Sequence, residues 1–495
     1  MAFRKKIIFR IGLWCLLGAM LLSGCAGKKE PMTNQTDGNH TSIEATDGSK
    51  ATDGSKTEGP GTSDEGPKEL PTVDIEKSTA GRKYLQGTTN KDATAYERGE
   101  EMRFTVSLRA DGKLASCAKF QYTLKADDGR NETGYQDGKT GVFTLTTKLD
   151  IPGFVNLKVV ACDANGEVIS DVEQFTGGAG ADITNIQKAK KEPSDFDKFW
   201  KNQLSKLEGT APDLTEIREV TSPYPAYTIY AVKIRFYENN RWGDYVSGYL
   251  SVPKDAQKNS LSMRVSYMGA GISDIAKRCA PGFVTLTVSA HSLELGQDSH
   301  YYGGQMNGRL KNWMNGYNAT RELVYFREMI LRDIQAVRFM KQYFAADGPD
   351  ARFAGLWKSE EGLELSGGSQ GGFQAVAVAA LEPAGIKQIV IRYPWLCDIG
   401  GCGSNGGIGS TYMPKYTSAL EYYDTVNFGR RLTCTTIIEE EGLGDDVATT
   451  TGVTIFWNNL NPSLTRKITY IQNQSHSHIP STRENFTIEG TVTKN

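Results

Sequence analysis

The segment that most constrains this chain is LELSGGSQGGFQAVAVAALE, residues 363–382. An apolar strand runs into Gly367-Gly368-Ser369-Gln370-Gly371, and an alanine-rich amphipathic helix follows at once. This is a G-x-S-x-G turn in the strand–turn–helix setting that such a turn requires. Glycines flank the serine because a turn this sharp would drive any side chain there into the strand or the helix. Ser369 is thereby held in strained backbone geometry as a candidate nucleophile, and the helix N-terminus aims free N–H groups at the reacting oxygen. The N–H of Gln370, the residue after the nucleophile, is the expected oxyanion donor. The plainer alternative, a solvent serine in a glycine-rich turn, does not account for that setting.

A turn of this kind needs a sheet around it. From GGAGADI at residues 177–183 to the C-terminus, strand-like and helix-like segments alternate. YTIYAVKIRF, VSGYLSVP, MRVSYMG, FVTLTVSA, LELSG, IKQIVIRY, TCTTIIEEE and RKITYIQ read as strands. The longest helix is RELVYFREMILRDIQAVRFMKQYF, in which Leu323, Phe326, Ile330, Ile334, Val337 and Met340 recur at steps of three and four. Alternation of this sort predicts a mostly parallel sheet with helices on both faces, here an α/β-hydrolase domain over residues 181–495.

The 495 residues are too many for one ordinary domain. Residues 83–180 read as all-β. EMRFTVSLRA, CAKFQYTLKA, GVFTLTTKLD and GFVNLKVVACD alternate in period two, and turn sequences such as ADGK and DANGE separate them. About six or seven strands in this length predict a small immunoglobulin-like sandwich, which could bind sugar but on base rates packs or spaces. Residues 26–82 are dominated by Gly, Ser, Thr, Asp, Lys and Pro, with ATDGSK twice in tandem at 45–56. Such a stretch cannot bury enough apolar surface to offset chain entropy, so it reads as a flexible tether with a reach of about 40 Å.

Residues 1–25 read as a lipoprotein signal. Arg4, Lys5, Lys6 and Arg10 precede the short apolar run IGLWCLLGAMLL, and LSGC follows it. The pattern resembles a bacterial lipobox, which makes Cys25 the lipidated N-terminus of an exported, membrane-anchored protein facing outward. After Cys15 and Cys25, six cysteines remain: Cys117, Cys162, Cys279, Cys397, Cys402 and Cys434. Cys117 and Cys162 could pair or stay reduced, a choice that sequence leaves open. No C-x-x-C pair or close Cys/His cluster occurs, so neither a metal nor another cofactor is expected. A net charge of −2 gives no reason to expect nucleic acid as a partner.

A serine nucleophile needs a base. Of five histidines, His40 lies in the tether, leaving His291, His300, His476 and His478. Only the last two follow both the nucleophile and a late strand, as the chain order Ser…Asp/Glu…His demands. Two residues apart, they point different ways in an extended loop, so one of them reaches Ser369. The acid is expected between, in TCTTIIEEEGLGDDVATTTGVTIFWNNL. A strand-end loop carries Asp445 and Asp446, with Glu439, Glu440 and Glu441 as competitors.

Residues 186–478 resemble the acetyl xylan esterase and cephalosporin-C deacetylase family. KKEPSDFDKFWKNQL is similar to its P-x-D-F-D-x-F-W entry helix and VSYMGAG to its Y-x-G-Y-x-G loop. GGSQGG resembles the nucleophile segment, YPWLCDI a P-F-L-C strand end, and EGLGDDVATTTGV the G-L-x-D acid loop. The resemblance implies Ser369, Asp445 and His476 as the triad, with the backbone N–H groups of Gln370 and Ala270 as oxyanion donors. It implies an acetylated carbohydrate, xylan or its oligosaccharides, as substrate. The family's R-G-Q is here Leu295-Gly296-Gln297, its H-E is His476-Ser477, its oxyanion-loop tyrosine is Ala270, and its P-P is Ala448-Thr449. These departures spare the triad and bear on substrate fit and on the family's ring-shaped oligomer. Another short-chain esterase or a peptidase of the same fold, or a non-catalytic polysaccharide-binding lipoprotein, are the competing functions.

Overall fold

The computed structural model describes residues 80–237, 243, 245–401, 406–480 and 483–490. The signal segment with Cys15 and Cys25, the tether as far as residue 79, and Cys402 lie outside the described residues. The first strands are β1 (Lys83–Thr89), β2 (Met102–Ala110), β3 (Lys113–Leu114), β4 (Lys119–Ala126), β5 (Asn131–Asp137), β6 (Val142–Thr147), β7 (Gly153–Cys162), β8 (Val172–Glu173) and β9 (Phe175–Ala181). One sheet runs β3-β2-β1-β8 with β6 also on β2, and the other runs β5-β4-β7-β9. Met102, Phe104, Val106 and Leu108 of β2 alternate inward and are buried. Phe120 of one sheet meets Phe143 of the other edge-on at 6.1 Å, each burying enough apolar surface to contribute roughly 1.5–3 kcal/mol. Cys117 and Cys162 are both free thiols.

Helix α1 (Phe196–Leu204) leads into ten strands: β10 (Leu214–Val220), β11 (Tyr227–Arg235), β12 (Tyr245–Pro253), β13 (Ser262–Tyr267), β14 (Phe283–Val288), β15 (Leu363–Gly368), β16 (Ile386–Arg392), β17 (Thr435–Gly442), β18 (Arg466–Gln472) and β19 (Glu484–Gly490). Their spatial order is β10-β11-β12-β14-β13-β15-β16-β17-β18-β19. From β14 to β18 the pairings are parallel, and β12 is antiparallel to both its neighbours. From β11 to β18 this is the α/β-hydrolase arrangement, in which the second strand is reversed and the third and fourth are exchanged. Strands β10 and β19, which the sequence patterns did not single out, extend the two edges antiparallel.

The connecting helices are α2 (Ser299–Asn307), α3 (Tyr325–Phe344), α4 (Gln370–Leu381), α5 (Thr425–Gly429) and α6 (Thr450–Asn459). Helix α4 is buried on every side from Gln370 to Ala379, and its small alanines let it lie between β15, β16 and the helices α3 and α5. Helix α3 follows the predicted stripe through Phe326, Ile330, Ile334, Val337 and Met340, all buried. Leu323 departs from it: it precedes the helix and is 48% exposed.

The expectation of helices on both faces needs correction. Val265, Leu365, Ile389, Ile438 and Ile468 line the face under α3, α4 and α6 and are fully buried. The opposite face is polar around β15 and β18, and over β11 and β12 it holds a small second apolar cluster of Ile229, Ala231, Tyr249, Ile275 and Leu295. Arg264 and Gln388 both bond Glu364, Lys467 pairs with Glu489, and Thr469 meets Thr487. A sheet packed under helices on both faces reads as a continuous apolar run, whereas these strands alternate.

Candidate active site

Ser369 stands between β15 and α4 with φ +56° and ψ −123°, a conformation that costs a non-glycine residue of the order of 1–3 kcal/mol. The glycines around it answer to close approach. A Cβ on Gly367 would lie 2.4 Å from the Gly371 backbone, and one on Gly371 would lie 2.3 Å from the Tyr267 carbonyl oxygen. The end of β13 and the start of the loop that leaves it, at Tyr267 and Met268, are therefore pressed against the nucleophile turn. No donation from the Gln370 or Ala270 backbone N–H to a protein acceptor occurs among the described residues.

His476 lies in the loop after β18. Its Nε2 is 3.0 Å from Ser369 Oγ and its Nδ1 is 2.8 Å from Asp445 Oδ2. The hydroxyl donates to Nε2 and Nδ1–H donates to the carboxylate, so the ring is poised to take the serine proton. Asp445 is 1% exposed, and its Oδ1 accepts from the N–H groups of Val447 and Ala448. Asp446 is turned to solvent, its carbonyl bonded by Thr411. Glu439 pairs with Arg392 and Glu440 with Arg483. His478 closes a tight turn with Ser475, and His300 is exposed on α2. Of the candidates raised by the sequence, the structure brings together Ser369, His476 and Asp445.

Three neighbours take up places that the sequence analysis did not assign to them. Glu441 is fully buried beside Asp445, with neither carboxyl oxygen bonded. Burial and the Asp445 charge push its carboxyl well above the ordinary range. Burial also raises Asp445, but three hydrogen bonds support that charge and none supports Glu441, so Glu441 keeps the proton. Tyr393 packs edge-on against the His476 ring at 4.9 Å, in a left-handed backbone with φ +33°. His291 is fully buried, and burial lowers it to about 3, so it is neutral. The Ala270 carbonyl can only accept, so His291 Nε2–H donates to it at 3.2 Å while Nδ1 accepts the Tyr325 hydroxyl at 2.7 Å. This bond anchors the loop after β13 at Ala270. Among the candidate histidines His291 was set aside by chain order, and no spacing signal marked it for this second place.

No cluster of His, Cys, Asp and Glu that could hold a metal ion occurs among the described residues. A cavity of about 430 Å³ lined by Pro193, Arg321, Glu322 and Tyr422 includes none of the residues above.

Residues 181–401 match the model of the acetyl xylan esterase family. The chain is similar to acetyl esterase Axe7A of Xylanibacter ruminicola, with 26% identity over 387 residues that cover 73% of this chain and 80% of that protein. That share exceeds what residues 181–495 contain, so the similarity reaches into the β-sandwich. Among solved structures, an acetyl xylan esterase from Paenibacillus sp. R4 is 19% identical and covers 60% of this chain and 94% of its own, with a TM-score of 0.44. Acetyl xylan esterase 1 from Thermoanaerobacterium sp. JW/SL YS485 is 18% identical and covers 60% and 93%, with a TM-score of 0.46.

Proposed function

We propose that this chain, a carboxylic ester hydrolase whose residues 181–401 match the acetyl xylan esterase family, removes acetyl groups from carbohydrate esters, xylan or acetylated oligosaccharides, through an acyl-enzyme on Ser369. The observation that carries this reading is the hydrogen-bonded line Ser369–His476–Asp445 at the turn between β15 and α4. Ser369 Oγ passes its proton to His476 Nε2 and attacks the acetyl carbonyl, whose oxygen takes up negative charge beside the Gln370 and Ala270 N–H groups. The imidazolium, steadied by Asp445, protonates the departing sugar oxygen. Water then repeats the sequence on acetyl-Ser369, with His476 as base, and releases acetate. Glu441 holds its proton throughout and leaves Asp445 as the single charge behind the ring.

Acyl-chain selectivity tests this function. The expected order of kcat/KM on aryl esters is acetate over butyrate, with little activity on octanoate, and acetate is released from acetylated xylan. Each added methylene is worth only ~1–3 kcal/mol, which predicts tens- to hundreds-fold preference. A higher kcat/KM on octanoate would argue for a general esterase, and aryl acetate turnover without release from xylan would remove the proposed substrate.

The sandwich, in our reading, is immunoglobulin-like, and a lipid on Cys25 with the polar segment 26–82 tethers the enzyme to the outer side of a bacterial membrane. The reading draws on the signal and lipobox pattern; among the described residues no helix is long and apolar enough to cross a membrane. Cys25→Ser is expected to move the protein into the soluble exported fraction, and its retention on salt-washed membranes would count against the anchor.

A further inference from the structure

The two triad loops have a partner outside their own domain. Leu443 N–H donates to the Ile471 carbonyl at 2.9 Å and Gly444 N–H to the Gln474 carbonyl at 3.0 Å, so the Asp445 loop and the His476 loop form one unit. Strand β9 of the sandwich lies directly against that unit. Gln472, buried at 1% exposure, makes a reciprocal pair with the Gly178 backbone: Gly178 N–H donates to Oε1 and Nε2 donates to the Gly178 carbonyl, each at 2.9 Å. Asn473, also buried, accepts from Thr176 N–H at 3.0 Å and donates from Nδ2 to the Leu85 carbonyl at 3.0 Å. Its backbone is left-handed, with φ +61°. Asparagine tolerates that conformation, and here its side chain ties the bend to two strands of the other domain.

The contact is close as well as hydrogen-bonded. A Cβ on Gly444, next to Asp445, would lie 2.5 Å from the Thr176 carbonyl oxygen, and one on Gly178 would lie 2.5 Å from the Leu443 carbonyl oxygen. A second attachment flanks the acid loop. Asp127 of the sandwich accepts from Thr451 Oγ1 at 2.6 Å, at the start of α6, and from Ile408 N–H at 3.1 Å. Burial raises its carboxyl, and these donors offset part of that cost.

We infer that the β-sandwich is a fixed buttress of the catalytic centre, with Gln472 and Asn473 as positioning residues that set His476 and Asp445 in line with Ser369. The inference rests on the triad assignment above. It gives the sandwich a task in turnover rather than in sugar binding or spacing. A displacement of about 1 Å at reacting groups costs as much as a hundredfold in rate, so small shifts of this unit register in kcat.

The test uses the full chain. Gln472→Met removes the reciprocal pair, and Asn473→Gly keeps the left-handed backbone while deleting both side-chain bonds. Gly444→Ala wedges the acid loop away from Thr176. Phe143→Leu loosens the sandwich core far from the triad and controls for plain loss of stability. Gln472→Met and Asn473→Gly are expected to lower kcat on aryl acetate ten- to hundredfold with KM within twofold. The rate at which an aryl phosphonate modifies Ser369 is expected to fall in parallel, while Phe143→Leu stays within twofold of wild type. Should a variant fail to fold, the others carry the comparison, since each disturbs a different contact. Full kcat in the Gln472, Asn473 and Gly444 variants, with faster hydrogen exchange at Gly178 and Thr176, overturns the inference. An equal fall in Phe143→Leu does so too. A dead Ser369→Ala beside a fully active Asn473→Gly would remove the buttress alone, whereas an active Ser369→Ala would remove the triad on which it depends.

Discussion

Asp333 offers a prediction whose size can be worked from its surroundings. It sits on the face of α3 turned toward α4, fully shielded, with Oδ2 accepting from Gln374 Nε2 at 2.8 Å. Its neighbour Arg332 turns away to the Ala290 carbonyl. Burial pushes the carboxyl up from the ordinary 3.8 to about 8. A raised carboxyl binds its proton more tightly in the folded than in the unfolded chain. Its cost to folding is therefore absent below about pH 4 and grows as pH rises toward 8. At about 1.36 kcal/mol per unit, the folded state gives up roughly 2 kcal/mol at pH 5 and roughly 4 kcal/mol at pH 7 relative to a neutral side chain. Asp333→Asn keeps the shape and the bond from Gln374 while removing the titration. The variant is expected to be more stable by ~2–4 kcal/mol at pH 7 and nearly equal to wild type near pH 4. Urea unfolding from pH 4 to pH 8, followed by tryptophan fluorescence, measures both. If Asp333→Asn loses stability with rising pH as steeply as wild type, Asp333 is not the proton-binding group and the argument fails.

Other outcomes follow from the same physics. His476→Ala is expected to be nearly as inactive as Ser369→Ala, because residues acting as a unit are non-additive, while His478→Ala keeps most of kcat; steady-state rates on aryl acetate separate them, and the reverse result would place the wrong histidine at Ser369. His291→Phe keeps the packing on Trp313 but frees the oxyanion loop, and is expected to lower kcat about 10–100-fold, less than the ~10²–10³ lost when a donor is removed outright, with KM little changed. Lys188 is buried against Asp424 at 3.0 Å and Glu421 at 3.3 Å. Lys188→Met strands two buried carboxyls and is expected to cost ~3–5 kcal/mol in an unfolding measurement.

What the sequence made legible was local. The turn around Ser369 could be read because strand, glycines and helix are contiguous, and its geometry follows from sterics within a few residues. The acid was narrowed to one loop, and the choice of Asp445 over Asp446 and of His476 over His478 came from family register; spacing alone left both open. The polar sheet face was present in the strands as alternation at Arg264, Glu364 and Gln388, but the strand–helix rhythm pointed to helices on both sides and outweighed it. The edge strand β19 carries Phe486 as its single buried side chain, too faint a pattern to announce a strand. The contact between the sandwich and the triad loops had no sequence signal at all. Gln472 and Gly178 are 294 residues apart, and a glutamine before a loop looks like any other.

The central claim is that Ser369 carries the acetyl group from a carbohydrate ester to water. Wild-type enzyme and Ser369→Ala should be quenched in acid during turnover of acetylated xylo-oligosaccharide, digested, and weighed by mass spectrometry while free acetate is assayed. The account predicts one acetyl group on the peptide bearing Ser369 in wild type, and neither acylated peptide nor acetate release above background in the variant. Acetate release by Ser369→Ala at a tenth or more of the wild-type rate would contradict it.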